Sequence, residues 1–307
     1  MATTFLLAMS IVVSVTNDTD NWHDAGRDRT IPVRFFIPEA DLAKPYPTVL
    51  LSHGLGGSRD GFGYLGNDWA KHGYLVVVMQ HPGSDSTLRT ERRNGETILQ
   101  AMTRAVNAQE AQHRADDVRF VLDELERRHK SDEKLAGKID KNHIGIGGHS
   151  FGSQTVFAAV GRLPYRADPR IKAAIVMSPS PPQKIDPVFV HKNIKTPILH
   201  LTGTNDKSPI QKDFKPEDRR IPFDSVTGTD QYLVIFKDGN HLLFSGHPRM
   251  FGLTAMEKKC QPIIAEITRH FLDAYLKDNI EAKTWLRKNG LTEIMHNIGH
   301  VEIKQPR

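Results

Sequence analysis

The residues best suited to chemistry lie in the segment Gly148-His149-Ser150-Phe151-Gly152, which matches the pattern Gly-x-Ser-x-Gly. A short apolar run at 144–146 enters this segment, and a helical pattern of small side chains follows it as far as Val160. A strand, a tight turn and a helix are the context in which a serine sits on a strained turn, with its hydroxyl above a sheet. The flanking glycines keep side chains out of the space where strand and helix pack closely. The pattern therefore predicts that Ser150 is a nucleophile.

A serine hydroxyl is a weak nucleophile until a base takes its proton, so a histidine and a carboxylate are needed beside it. Asp206 follows a predicted strand at 197–202, and His241 follows another at 232–236. The chain order serine, aspartate, histidine is the order found in hydrolases built on an open α/β sheet. We therefore predict that Ser150, Asp206 and His241 are the catalytic residues.

Other residues compete for these two roles, because the chain has 15 histidines and many acids. His247 and His270 are the alternatives to His241, although His270 falls on a predicted helix. The alternatives to Asp206 do not directly follow a clear strand; they are Asp186, Asp224 and Asp230.

A glycine-rich loop, His53-Gly54-Leu55-Gly56-Gly57, follows the apolar strand at 49–52. In sites of this kind one backbone N–H from such a loop, and one from the residue after the nucleophile, stabilise the oxyanion of the reaction. We therefore predict Leu55 and Phe151 as the two donors. The residues predicted to contact substrate lie next to these groups, and they are Gly54, Gly56, His149, Ser178 and Pro179.

Two longer loops, at 178–190 and 208–228, are predicted to lie over the ends of the strands. Five of their proline and phenylalanine side chains are predicted to shape a pocket for the acyl or alcohol part of a substrate. These side chains are Pro179, Pro181, Pro182, Phe214 and Phe223.

Three segments together carry a resemblance to a known family: the loop HGLGGS at 53–58, the GHSFG segment, and KHGYLVVV at 71–78. They resemble α/β-hydrolases of the predicted dienelactone hydrolase group and plasma-type platelet-activating-factor acetylhydrolases. The resemblance covers roughly residues 30–245. It implies an esterase or acyl hydrolase acting on a small or lipid-like ester, with Ser150 as nucleophile and Leu55 and Phe151 as oxyanion donors.

The sequence departs from that family pattern in two places. The plasma-type enzymes carry the acid after the strand that follows the nucleophile, where this chain has Met177-Ser178-Pro179. The acid is predicted one strand later, at Asp206. Dienelactone hydrolases themselves use a cysteine as nucleophile, whereas this chain has Ser150, so that group name does not indicate the substrate.

The elements that position these residues alternate along the chain. Predicted strands lie at 11–15, 31–37, 49–52, 74–79, 144–146, 171–177, 197–202 and 232–236. Predicted helices lie near 69–72, 115–128 and 258–277. This alternation predicts a mostly parallel sheet with helices on both faces, and the resemblance implies that this sheet has the α/β-hydrolase fold. One domain over residues 1–307 is the economical interpretation, with a polar, loosely held tail from Leu286.

Composition excludes several other classes. Net charge is +5, but Lys and Arg alternate with acids and form no basic stripe with aromatic residues, so a nucleic-acid partner is not expected. The single cysteine, Cys260, excludes an internal disulfide. No phosphate-binding glycine pattern follows a first strand, so no cofactor is expected. His296 and His300 have metal-ligand spacing, but the glycine between them breaks a helix, so a metal site is not expected.

The N-terminal segment leaves two interpretations open. Residues 5–15 are apolar but too short to span a bilayer, so no membrane span is expected. No Lys or Arg precedes Arg27, which favours a first strand at 11–15 over a signal segment. A strand favours a cytoplasmic protein, whereas a signal segment at 1–15 would favour a secreted or periplasmic one.

Two other functions compete with an ester hydrolase. A serine peptidase or amidase on the same scaffold would need a pocket for a peptide terminus or a cap domain, and no such insertion is visible. A non-catalytic binding protein with this fold is the other alternative, and loss of a catalytic residue would indicate it. All three predicted catalytic residues are present, so an ester hydrolase is favoured.

Overall fold

Nine strands of the described part of the chain form one sheet, and seven of them correspond to predicted strands. The computed structural model describes residues 14–39, 45–211, 213–247 and 252–306. The strands are β1 (Val15–Asp24), β2 (Arg29–Pro38), β3 (Tyr46–Ser52), β4 (Leu75–Met79), β5 (Ile139–His149), β6 (Ile171–Met177), β7 (Ile198–Asn205), β8 (Gln231–Asn240) and β9 (Gly299–Lys304).

The strands lie in the order β1-β2-β4-β3-β5-β6-β7-β8-β9. The six from β3 to β8 run parallel to one another, while β1, β2 and β9 are antiparallel to their neighbours at the two edges. The carboxyl ends of β3, β5, β7 and β8 therefore meet at one edge of the sheet. A ligand site is expected at that edge in a sheet of this kind.

Helices cover both faces of the sheet. They are α1 (Gly63–Lys71), α2 (Ile98–Ala105), α3 (Ala108–Ser131), α4 (Phe151–Phe157), α5 (Pro187–His191), α6 (Ile221–Ser225), α7 (Ala255–Leu276), α8 (Ile280–Arg287) and α9 (Gly290–Ile294). One hydrophobic cluster joins the sheet to α1 and α7, and a second joins its other face to α3 and α4. Because both faces are buried, the central strands contain apolar runs, and all five residues of β4 are apolar and buried. The predicted fold class is confirmed.

The first described strand differs from the prediction. The segment expected at 11–15 lies mostly outside the described residues, and the polar stretch after it, which was not among the predicted strands, forms β1. β1 pairs only with β2 at the edge of the sheet, so most of its side chains face solvent and its sequence carries no apolar alternation. Trp22 is its buried side chain, packed on Phe35.

The tail from Leu286 was predicted to be polar and loosely held, and this prediction is wrong. Leu286, Leu291 and Met295 are buried in the main hydrophobic cluster, and β9 pairs antiparallel with β8. The buried side chains are spaced among many charged ones, so the segment shows little hydrophobic periodicity although its few apolar residues are in the core. The C-terminal segment thus supports β8, the strand that leads into His241.

None of the helices in the described part of the chain combines the length and apolar character needed to cross a bilayer.

Candidate active site

The turn between β5 and α4 holds Ser150 in a strained conformation. Its backbone has φ 56° and ψ −115°, a region that non-glycine residues rarely occupy. The backbone N–H of Ser150 donates to the carbonyl of Met177 on β6 at 2.8 Å, which fixes the turn to the neighbouring strand. A Cβ at Gly148 would lie 2.4 Å from the Gly152 carbonyl oxygen, and one at Gly152 would lie 2.0 Å from the Ser52 carbonyl oxygen. Both glycines are therefore required by close backbone approach.

A histidine and an aspartate from two different strand ends reach this serine. His241 directly follows β8, and its Nε2 lies 2.9 Å from Ser150 Oγ. Its Nδ1 lies 2.7 Å from Oδ1 of Asp206, which directly follows β7. In this arrangement Nδ1–H donates to the carboxylate and Nε2 is free to accept the serine proton. This is the geometry that general-base activation of a hydroxyl requires.

The carboxylate of Asp206 is fully buried. Its second oxygen, Oδ2, accepts a hydrogen bond from Thr202 Oγ1 at 2.9 Å. Burial on its own would raise the pKa of Asp206, but the hydrogen bond from His241 and the charge of Arg219 outweigh it, and the pKa is lowered. The carboxylate therefore stays ionised and can orient the imidazole.

Arg219, which was not among the predicted site residues, is buried beneath Asp206. Its Nε lies 3.1 Å from Asp206 Oδ1 and donates to the Asp206 carbonyl at 3.2 Å. Its Nη1 donates to the Ser178 carbonyl at 2.9 Å and to Ser180 Oγ at 2.8 Å. Phe214 packs over its guanidinium plane, with 4.3 Å between Cζ and the ring centroid. Arg219 thus ties the loop after β6 to the acid after β7.

His149, the residue before the serine, supports His241 from the other side. Its Nε2–H donates to the backbone carbonyl of His241 at 2.7 Å, and the two ring centroids are 4.8 Å apart. Burial, with a smaller effect from His241, places the pKa of His149 well below its ordinary value. A neutral His149 keeps one nitrogen as a donor and adds no positive charge beside the base.

The loop after β3 passes directly over the serine. A Cβ at Gly54 would lie 3.3 Å from Ser150 Cβ and 3.0 Å from His149 Nδ1. Leu55 follows at the cavity wall, and Phe151 is the first residue of α4. The first amides of a helix have no acceptor within the helix, so Phe151 N–H is available to a ligand. This placement is compatible with the predicted donor roles of Leu55 and Phe151.

A second serine-histidine-aspartate chain lies inside the protein. Ser52 Oγ is 2.9 Å from His81 Nε2, and His81 Nδ1 is 2.9 Å from Asp117 Oδ2. All three side chains are fully buried, and none of them lines the cavity. Burial lowers the pKa of His81 to about 4. Since Ser52 lies within β3 and has no access to a substrate, this chain has a structural role.

The buried hydrogen-bond network of Ser52, His81 and Asp117 fixes the glycine-rich loop. The backbone N–H of His81 donates to His53 Nε2 at 3.0 Å, and His53 Nδ1–H donates to the Gly54 carbonyl at 2.6 Å. Arg114, itself buried, donates to the His53 carbonyl and to Ser84 Oγ. The loop that carries Leu55 is therefore held by polar contacts from β3, β4 and α3.

A cavity of about 750 Å³ opens above the serine. Gly54, Gly56 and His149 line it as predicted, together with Pro181. Ser178 and Pro179, also predicted to contact substrate, do not line it, because their backbone carbonyls turn down toward Arg219.

Phe223 was predicted to shape this pocket, but it points into the core. It is fully buried, and it packs edge-on against His200 at 5.6 Å between ring centroids. Two turns of helix, at 216–220 and 221–225, carry this segment inward, which the proline and phenylalanine content of the loop did not indicate.

Among the described residues no group of three or more histidines, cysteines or carboxylates is placed to hold a metal ion. His300 lies on β9, with Nε2 3.4 Å from Glu302 Oε1, and His296 lies in the turn before that strand.

Comparison with curated proteins finds relatives among the acetylhydrolases. The chain is 26% identical over 228 residues to "Platelet-activating factor acetylhydrolase" of Cavia porcellus, and this match covers 62% of the chain and 48% of that protein. It is 30% identical over 159 residues to the protein of the same name from Bos taurus, covering 43% of the chain and 34% of that protein. The chain thus spans about half the length, or less, of these relatives. The predicted resemblance to this group is confirmed.

A solved structure with a similar fold is a ferulic acid esterase from Streptomyces cinnamoneus. The TM-score is 0.60 at 20% sequence identity, over 86% of this chain and 91% of that one. A family model described as "alpha/beta hydrolase fold" matches residues 47–236, which contain the glycine-rich loop, the serine turn and the acid. The sheet order, the turn that holds Ser150 and this match together lead to one assignment: the chain belongs to the alpha/beta hydrolase fold family.

Proposed function

We propose that this protein is a serine hydrolase that cleaves carboxylic esters. The observation that carries the proposal is the hydrogen-bonded chain from Ser150 Oγ through His241 to the buried Asp206. The acetylhydrolase and esterase names of the proteins it resembles support an ester as the substrate.

The reaction proceeds in two halves on this geometry. His241 Nε2 takes the proton of Ser150 as its Oγ bonds to the ester carbonyl carbon, and the oxyanion accepts hydrogen bonds from the N–H groups of Leu55 and Phe151. His241 then protonates the leaving alcohol, which leaves an acyl-enzyme on Ser150. Water, deprotonated by His241, attacks this acyl group and releases the acid.

The first test compares the two serines that lie beside a histidine. Ser150→Ala should reduce hydrolysis of 4-nitrophenyl acetate by at least about 1,000-fold, because no covalent intermediate can form. Ser52→Ala removes a buried hydrogen bond, costing about 1–3 kcal/mol of stability, and should keep activity within about tenfold of wild type. If Ser52→Ala abolished activity while the protein stayed folded, and Ser150→Ala did not, the proposed assignment would be wrong.

A covalent trap gives independent support. A 4-nitrophenyl phosphonate should modify one residue, and peptide mapping should locate the label on Ser150. The 4-nitroanilide of the same acyl group tests the amidase alternative; a rate comparable to that of the ester would favour an amidase over an esterase.

A further inference from the structure

The wall of the cavity carries positive charge without matching negative charge. Among its described lining residues there are three arginines, Arg89, Arg162 and Arg219, and no aspartate or glutamate. Arg219 is already paired with Asp206, and Arg89 lies exposed at the rim. Arg162 is the half-buried arginine that remains, and no ion pair of its side chain is found within the described ranges.

The position of Arg162 is set by the helix that begins at the nucleophile. After α4 the chain forms one wider helical turn, Ala158–Arg162, and leaves the helix at Gly161 with φ 132°. A Cβ at Gly161 would lie 3.0 Å from the carbonyl oxygen of Asn193, so this turn packs closely on the neighbouring segment. Wider turns of this kind are found frequently at functional sites.

Gln154 orients the guanidinium of Arg162. The side-chain Oε1 of Gln154 accepts a hydrogen bond from Arg162 Nη1, and its Nε2 donates to the Ser180 carbonyl at 2.7 Å. An amide holds the guanidinium in place but, unlike a carboxylate, does not neutralise it. Gln154 is one helical turn after Ser150, about 6 Å along the helix axis, and both residues line the same cavity as Arg162.

The rest of the wall is largely apolar. It includes Met102, Val106, Leu163, Pro209 and Ile210. A lone cation in such surroundings has lost part of its hydration, and burial lowers the pKa of Arg162 for this reason. An anion that enters the cavity restores the missing interactions, and a planar guanidinium matches a carboxylate or phosphate in shape.

We propose that Arg162 makes this cavity select esters that carry a second, anionic oxygen group, a carboxylate or phosphate, in addition to the bond that is cleaved. The inference rests on the proposed esterase function and adds the chemical class of substrate. The apolar wall accommodates the body of the molecule, while Arg162 holds the anion and thereby positions the ester at Ser150.

Two matched pairs of esters test it. The first pair places the anion on the acyl side: the 4-nitrophenyl monoester of glutaric acid against its methyl 4-nitrophenyl diester. The second places it on the alcohol side: 4-acetoxybenzoate against methyl 4-acetoxybenzoate. Wild type should show a higher kcat/KM for the charged member of at least one pair, and the pair that responds identifies the side that Arg162 contacts.

Arg162→Met should lower the ratio of charged to neutral kcat/KM in that pair by about 10- to 100-fold, the effect of losing a charge-assisted hydrogen bond. Arg162→Lys should restore part of the ratio, since it keeps the charge without the planar fork. Arg93→Gln is the control: it removes the same charge from an exposed arginine outside the cavity and should leave the ratio unchanged.

The inference is overturned if wild type does not favour the charged member of either pair. This outcome is measured on the wild-type protein alone and does not depend on whether a variant folds. It is also overturned if Arg162→Met lowers both members equally, or if Arg93→Gln produces the same selective loss. If hydrolysis depends on Ser150 but kcat/KM is the same for the charged and neutral members of both pairs, this inference is wrong and the proposed function stands. If none of the four esters is hydrolysed, the proposed function is contradicted as well.

Discussion

At the scale of single residues, the buried Arg219 holds the acid of the site in place. It contacts the side chain and the backbone of Asp206 and the carbonyls of the loop after β6. A buried carboxylate without a counter-charge would be protonated or displaced, since burial raises its pKa. Arg219 therefore keeps Asp206 ionised and in register with His241.

Replacing Arg219 by Met tests this positioning role. The variant leaves Asp206 and two carbonyls without their partner, so we expect kcat/KM for a neutral ester to fall about 10- to 100-fold. The measurement is a pH profile of kcat/KM, whose acidic limb should move upward because the pKa of the carboxyl rises without the guanidinium.

The neighbouring Arg220 offers a matched control. It pairs with Asp224 and Glu302 at the surface, at 2.9 and 2.8 Å. Arg220→Met should therefore leave the acidic limb of the profile where it is in wild type. A positioning role for Arg219 would be contradicted if the two variants had the same profile.

At the scale of elements, the turn from β5 into α4 depends on two glycines that allow backbone to meet backbone. The Cβ of an alanine at 152 would have to displace the Ser52 carbonyl, which belongs to β3 and directly precedes the glycine-rich loop. The serine turn and the loop with Leu55 are thus in contact at residue 152. A shift in either one changes the distance between Ser150 and the proposed oxyanion donors.

Gly152→Ala should consequently damage catalysis more than folding. Overpacking of this kind costs about 1–3 kcal/mol of stability, whereas a displacement near 1 Å lowers kcat by about 100-fold. Two measurements check this. The first is the free energy of unfolding in urea. The second is kcat, calculated from the concentration of active enzyme that phosphonate labelling of a parallel sample gives.

Gly63→Ala is the corresponding control, because an added Cβ there meets no heavy atom within 4 Å. It should leave kcat unchanged and stability equal or slightly higher. Equal kcat values for Gly152→Ala and wild type would show that the close approach at residue 152 is not needed for the reaction.

At the scale of the whole molecule, five histidines of the described residues are buried in the neutral state. Burial lowers the pKa of His191 and His81 to about 4 and of His200 to about 3, and it lowers the pKa of His53 and His149 well below the ordinary value. In the unfolded chain each of these groups binds a proton near pH 6.5. Stability from these groups is therefore complete above about pH 6.5 and is lost as the pH falls toward 4.

His200 is the simplest one to test, because it lies outside the cavity between Phe157 and Phe223. For wild type, we expect the free energy of unfolding to drop steeply between pH 6.5 and 4.5. His200→Gln should reduce the slope of unfolding free energy against pH by up to about 1.4 kcal/mol per pH unit, which corresponds to the uptake of one proton. This expectation does not depend on how the substitution changes stability at pH 8. Urea denaturation at a series of pH values measures the slope.

His296→Gln, at an exposed position, is the comparison. For this variant the slope of the unfolding free energy against pH should match that of wild type. A slope for His200→Gln that is as steep as in wild type would mean that residue 200 does not titrate differently in the folded and unfolded states.

Much of this architecture could be predicted from local patterns. The apolar runs that became β3, β4, β6 and β7 were found because strands buried on both faces leave a continuous hydrophobic signal. β1 and β9 were missed because edge strands and short amphipathic strands leave little such signal. Arg162 and Arg219 were missed for a different reason: among 41 basic residues, nothing in the local sequence distinguishes one that faces a buried carboxylate or a cavity.

The sequence alone determined the chemistry available: a serine on a tight glycine-flanked turn, and an acid and a histidine after later strands. Those features depend on backbone conformation and short-range order, which neighbouring residues encode. Only the tertiary structure decided which polar groups meet. Ser150 opens to the cavity, whereas Ser52, which is hydrogen-bonded in the same way, does not; Phe223 turns inward; and Arg162 has no carboxylate partner among the described residues. Burial and pairing are set by residues from distant parts of the chain, so no local pattern carries them.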